Sequence, residues 1–224
     1  MGETVSIAID GPAAAGKSTV AKRIAKELNF VYIDTGAMYR ALTYQAIKDN
    51  IDVHHERDLV TLMMKTKIEL KSEDNEQHVF INGERITKDI RAEDVSTKVS
   101  FVAQHKLIRE YMVKQQQQLA NNENVVMDGR DIGTHVLPKA TCKFYLIASV
   151  RERAERRHLE NIEKGFPSNI EKIVKQIKER DLLDTEREIS PLVKAKDAIE
   201  IDTTSLSIDE VVEKMLHLIK ERIA

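Results

Sequence analysis

A single cysteine stands among 224 residues, so no internal disulfide can brace this chain. That excludes a disulfide-stapled secreted scaffold and fits a reducing compartment. The setting of Cys142, in "TCKFYLIAS", predicts a buried strand residue rather than a reactive thiol. Neither sign of charge is in excess: 35 Lys and Arg face 37 Asp and Glu, a formal net charge of -2. Without a global basic field to gather phosphates, no nucleic-acid partner is expected. Long hydrophobic runs are missing too; none approaches the ~20 residues of a membrane helix, so no membrane partner is expected. The N-terminus enters "VSIAID" without a charged-then-apolar leader, and a cytoplasmic location is the expectation. No internal repeat is visible, and the short "QQQQ" of Gln115–Gln118 is expected to be a solvated helix face.

What is present is 42% hydrophobic and 32% charged residues, a mixture able to bury the core of one α/β domain carrying an insertion. Five strands are predicted: "VSIAID", "FVYIDTG", "NVVMDGRD", "CKFYLIAS" and "AIEIDTT". Three have continuous apolar centres rather than alternation, the pattern of strands buried on both faces of a parallel sheet. Helical spacing separates them. Val20, Ile24 and Leu28 form one stripe, and Met38, Leu42 and Ile47 another. Ser168 with Glu171 and Ser207 with Glu210 read as capping boxes opening the last two helices. Between roughly residues 63 and 95 the period becomes two, and Asn82-Gly83 signals a hairpin. An α/β fold with helices on both faces of the sheet and a small antiparallel insertion is therefore predicted.

The strongest chemical signal is "GPAAAGKST", from Gly11 to Thr19, which fits G-x-x-x-x-G-K-S/T between a strand and a helix. Such a loop turns backbone N–H groups toward an anion, and the helix N-terminus adds its dipole. Gly11 and Gly16 permit the tight backbone around Pro12, Ala13, Ala14 and Ala15. Lys17 would reach the terminal phosphates of a nucleotide, and Ser18 would offer a hydroxyl to Mg²⁺. Neither the N-K-x-D motif of switch GTPases nor the L-S-G-G-Q motif of transporter ATPases occurs. A small kinase needs a second anionic pocket and arginines for the migrating charge. Thr35, Tyr39 and Arg40 follow the second strand, while Asp128, Arg130 and Asp131 end the third, which places both groups on the ligand-binding rim of an open α/β sheet. Arg153, Arg156 and Arg157 share a helical face after the fourth strand, where a mobile lid would close. "KERDLLDTER" adds Arg180, Asp184 and Arg187.

In order and spacing, the glycine-rich loop, "DTGAMYR", "MDGRDIGT", "ERAERR" and "IKERDLLDTEREISPL" resemble bacterial cytidylate kinases nearly end to end. The resemblance implies a P-loop nucleoside-monophosphate-kinase fold. A core would span residues 1–34, 96–149 and 161–224, a CMP-binding region with the β insertion 35–95, and an arginine-rich helical lid 150–160. It implies ATP and CMP or dCMP as substrates and Mg²⁺ as cofactor; with no extended apolar stripe left over, the chain is expected to act as a monomer. It assigns Ser100, Arg109 and Asp131 to the cytosine, and Arg40, Arg130 and Arg187 to the acceptor phosphate. Asp184 and Arg180 would face the ribose, and Arg151, Arg153 and Arg157 would reach ATP. The implied catalytic set is Lys17, Arg130, Arg153, Arg157 and Arg187.

Two rival readings stay open at this level. In a kinase of a hydroxylated metabolite, Asp34 could act as general base for an alcohol. A nucleotide-binding switch would bind ATP with no acceptor at all. His54 and His55 are expected at the surface, and His135 is assigned no chemical role.

Overall fold

The computed structural model describes residues 4–73, 76–163 and 165–223. Its central sheet takes β1 (Ser6–Asp10), β2 (Val31–Asp34), β6 (Val125–Gly129), β7 (Cys142–Ile147) and β8 (Ile199–Asp202) in the order β2-β6-β1-β7-β8. Every pairing in it is parallel. The apolar run of β1 faces both ways. Ile7 and Ile9 pack with Val20 and Ile24 of α1 (Lys17–Leu28) and with Val212 and Met215 of α8 (Ile208–Ile223). Ala8 faces the opposite layer, beside Met127, Ile132 and Val136. Both faces are thus covered, as the uninterrupted apolar centres require. Cys142 lies buried in β7.

A second cluster joins Met38 and Leu42 of α2 (Thr35–Lys48) to Leu59 of α3 (Glu56–Lys65). It also takes Val99 and Val102 of α4 (Glu93–Gln104), and Ile108 and Met112 of α5 (Lys106–Leu119). Between α3 and α4 lies the antiparallel sheet of β3 (Ile68–Glu73), β4 (Glu76–Ile81) and β5 (Glu84–Arg85). Asn82 and Gly83 both take positive φ, 50° and 87°, which twists the β4–β5 turn to match its strands. Val79 and Ile81 of β4 dock on Ala37 and Ala41 of α2, so the insertion rests on the helix that follows β2. The remaining helices, α6 (Val150–Glu163) and α7 (Ile170–Glu186), pack through Ala154 against Ile173 and Ile177.

Local chemistry sets the helix ends. Asp34 both ends β2 and caps α2, its carboxylate accepting from Ala37 N at 2.9 Å. The Ser207–Glu210 capping box forms as the sequence reads: Ser207 Oγ accepts from Glu210 N, and Ser207 N donates to Glu210. The box expected at Ser168 does not. Asn169 caps α7 instead, accepting from Lys172 N, while Ser168 Oγ pairs with His158 Nδ1 at 2.8 Å. The glutamine run is not wholly solvated either. Gln116 is 1% exposed, because α5 turns that residue toward the interior.

Candidate active site

The carboxyl edge of the sheet gathers the site. β1, β2 and β6 end in or near Asp10, Asp34 and Asp128, and Asp34 lies in register with Asp128. Over this edge opens a cleft of about 730 Å³. It is lined by residues 13–19 of the glycine-rich loop and by Thr35, Tyr39, Arg40, Ser100, Arg109, Arg130, Asp131, Arg157, Arg180, Asp184 and Arg187. Every residue the sequence assigned to the acceptor is therefore brought to one cavity, from segments as distant as α2 and the end of α7.

The loop is held by close packing. A Cβ at Gly11 would lie 2.1 Å from Leu146 O, so only glycine lets the chain pass over β7 there. Gly16 precedes α1 at φ 83°, and no side chain caps that helix. Its first N–H groups are thus available to an anion. Lys17 Nζ donates to Pro12 O at 2.7 Å, folding the side chain across the loop. Gly11 and Pro12 support this turn and do not line the cleft. Burial, then the charge of Arg130, pulls the Lys17 pKa well below its usual 10.5. Ser18 Oγ donates to Asp128 Oδ2 at 2.8 Å, and Tyr32 OH donates to the other oxygen at 2.8 Å. Burial and the neighbouring charge of Asp34 raise the Asp128 pKa.

The acceptor side is built from arginines sharing too few carboxylates. Asp34 takes Arg40 Nη2 at 2.8 Å and Arg91 Nη2 at 2.9 Å. Asp131 takes Arg109 Nη2 at 2.5 Å and faces Arg187 Nη2 at 3.6 Å. Asp184 takes Arg130 Nε at 2.8 Å and stands near Arg187 and Arg180, at 3.8 and 4.0 Å. Six arginines share three carboxylates here, so guanidinium groups outnumber their direct ion-pair partners. Burial, then the charge of Arg130, brings the Arg180 pKa down to about 9. Burial alone would raise the Asp34 pKa; the charges of Arg40 and Arg91 outweigh it and set it at about 2. Buried polar atoms are also left over: Ser100 Oγ, Arg40 Nε, Arg109 Nε, Arg180 Nε and Arg187 Nη2 have no hydrogen-bond partner. Such atoms are costly unless a ligand supplies the acceptors.

Several residues depart from their sequence reading. Arg153 is buried rather than presented to ATP. Its guanidinium donates to Ala13 O at 2.9 Å, pairs with Asp181 at 2.7 Å, and struts the loop from behind. Arg156, expected on the same face, donates to Thr203 O at 2.5 Å. Arg156 and Arg157 both line the cleft, whereas Arg153 does not. Arg151 stays outside the cavity, bonded to Glu155 and Glu171 at 2.8 Å each. Tyr39 is 7% exposed, and its ring lies under Arg109, 5.5 Å from the guanidinium carbon. Thr35 Oγ1 donates to Asp128 O at 2.8 Å and ties β2 to β6. The sequence reading missed Arg91, which reaches Asp34 from a 3₁₀ turn, Asp89–Arg91, after the insertion. No local pattern marks it. His54 and His55 are exposed, as expected, and so is His135.

The sequence model described as cytidylate kinase matches residues 7–221. The chain belongs to the cytidylate kinase family. It is 59% identical to the cytidylate kinase of Oceanobacillus iheyensis over 217 residues, covering 97% of this chain and 94% of that one. It is 58% identical to that of Bacillus cytotoxicus, covering 99% and 98%. Among solved structures, an uncharacterized protein from Eubacterium ventriosum superposes with a TM-score of 0.52 at 13% identity, covering 98% of this chain and all of that one. That last likeness concerns the fold alone. The glycine-rich loop and the arginine cluster of this chain converge on one cavity. Among the described residues no helix is long and apolar enough to cross a membrane.

Proposed function

We propose that the protein transfers the γ-phosphoryl group of ATP to CMP, and to dCMP, giving the diphosphate and ADP. The observation that carries this reading is the arginine cluster beside the phosphate loop: six guanidinium groups sharing three carboxylates suit an acceptor phosphate facing a nucleotide triphosphate. Arg40, Arg130 and Arg187 hold the acceptor phosphate, and Arg180 with Asp184 faces the ribose. Asp131 accepts from the exocyclic amine of cytosine, a pairing carboxylates make with that base. Arg109 and Ser100 donate to the ring acceptors. α6 closes as a lid over ATP, with Arg157 on its inner side.

The acceptor oxygen belongs to a phosphate with a second pKa near ~6, largely ionised at neutral pH, so no general base is required. Asp34 is poorly suited to that task, since Arg40 and Arg91 hold its pKa at about 2. This counts against the alcohol-kinase reading. Catalysis rests on alignment of the two phosphates and on guanidinium groups that neutralise the migrating charge. Ser18 and Asp128 fit a Mg²⁺ that keeps most of its shell from phosphates and water; among the described residues no cluster of three acidic, His or Cys side chains exists to bind one alone. Held by Ser18 and Asp128, a Mg²⁺ would supply positive charge to offset that of the donor phosphates. A coupled ADP-release assay tests the proposal: release should depend on added CMP. Release indifferent to any nucleoside monophosphate would overturn it.

A further inference from the structure

Asp10 is the last residue of β1 and is 3% exposed. Both of its oxygens are engaged by backbone amides. Oδ1 accepts from Ile132 N and Oδ2 from Gly133 N, both at 2.8 Å. Those two amides open the helical turn Ile132–Val136 directly after Asp131. The turn closes back on the same residue, with His135 N and Val136 N donating to Asp131 O at 2.9 and 3.2 Å. Asp131 itself sits outside helical geometry, at φ -144° and ψ 27°. Its direction is therefore set by what holds the peptides on either side. The side chain so aimed carries the buried pair with Arg109 and faces Arg187.

The other end of the link is equally fixed. Asp10 immediately precedes Gly11, whose Cα is seated against Leu146 O. The backbone of Asp10 is also held between β6 and β7, in register with Gly129 and Tyr145. Its carboxylate is thus an immobile reference from which the Asp131 turn hangs. Burial raises the Asp10 pKa to about 6, which still leaves the carboxylate ionised at neutral pH, and a charged acceptor on two N–H groups is stronger than a neutral one.

We propose that Asp10 is a positioning residue for the acceptor base: it holds the amides of Ile132 and Gly133 so that the Asp131 carboxylate points at the pyrimidine. This rests on the reading of Asp131 given above. It links the two ligand sites through one residue, since the strand that launches the phosphate loop also aligns the base-reading turn.

The test is steady-state kinetics of the full-length chain and its Asp10→Asn variant at saturating Mg-ATP. Asn keeps the shape but turns an N–H₂ toward one amide donor. The KM for CMP should rise about tenfold, and the CMP/UMP ratio of kcat/KM should fall by a similar factor, the size of one lost oriented hydrogen bond. The KM for ATP should change by less than about twofold. In an Asp131→Asn background, Asp10→Asn should cause no further loss of discrimination. Asp10→Glu, which keeps the charge but displaces it by one methylene, should act in the same direction and serves if the Asn variant does not fold. An unchanged CMP KM and ratio would overturn the proposal. So would an ATP KM that rises as much as the CMP KM, or a discrimination loss that persists undiminished without the Asp131 carboxylate. A wild-type chain inactive toward CMP would instead sink the proposed function, and the two failures are distinct.

Discussion

Asp34 grips Arg40 across nearly two turns of α2, with Nη2 2.8 Å from one carboxylate oxygen and 3.0 Å from the other. The same carboxylate caps the helix and takes Arg91 from beyond the insertion. One buried acid therefore orders two guanidinium groups toward the acceptor. Replacement by Asn should raise the KM for CMP more than it lowers kcat, by about tenfold, because an oriented charge is lost. A kcat loss at constant KM would contradict this role.

Asp34 also makes stability depend on acid. Its folded pKa is about 2 against an ordinary 3.8. A depressed carboxylate contributes stability that is fully present above the unfolded value and is lost as pH falls through the folded one. About 2 kcal/mol should thus disappear between roughly pH 4 and pH 2. Denaturant unfolding across that window should show a steeper decline in the wild type than in Asp34→Asn. Parallel pH curves would be the opposite outcome.

Lys17 is buried and held toward its neutral form by desolvation and by Arg130. ATP phosphates would restore its charge, so nucleotide binding should take up protons at pH values between the lowered pKa and 10.5. Calorimetry in buffers of differing ionisation enthalpy measures this directly. The uptake should vanish in Lys17→Ala, whose phosphoryl transfer should fall by about 10²–10³-fold while its circular dichroism stays native. Gross unfolding of that variant would assign the side chain to structure instead.

Asp131 pairs with Arg109 at 2.5 Å in a buried setting. Asp131→Asn should relax the CMP preference over UMP by about 1–3 kcal/mol, the worth of a good base contact. Because it strands two arginines, Asp131→Ala should also cost about 3–5 kcal/mol of stability in the free chain. An unchanged CMP/UMP ratio in the Asn variant would remove Asp131 as the base reader.

Arg151 and Arg157 separate the two sides of α6. Arg151 is bonded to Glu155 and Glu171 outside the cleft, whereas Arg157 lines it. Arg157→Ala should raise the KM for ATP about tenfold, while Arg151→Ala should stay within about twofold. Equal effects would mean that both reach the nucleotide.

The sheet was legible in the sequence because buried parallel strands announce themselves as apolar runs, as "VSIAID" and "NVVMDGRD" do. The phosphate loop was legible because its glycines and Lys17 act locally, within nine residues. So was the hairpin, where Asn82 and Gly83 take the positive φ that their types allow. Less visible was anything decided across the fold. Helical periodicity put Arg153 beside Arg157, yet the nearby Ala13 carbonyl and Asp181 draw Arg153 inward. Gln116 looked solvated within a polar run, but the face of α5 that buries Met112 buries it as well. Asp10 and Arg91 carry no motif; their partners lie 122 and 57 residues away.

The acceptor specificity of phosphoryl transfer bears most directly on the whole account. With ATP and Mg²⁺ held constant, kcat/KM should be compared for CMP, dCMP, UMP, AMP and a carboxylated alcohol such as shikimate. CMP and dCMP should be used best, UMP less well, and the alcohol not at all. Equal use of all the monophosphates, or transfer to the alcohol, would contradict a cleft whose surplus arginines and Asp131 select a cytidine monophosphate.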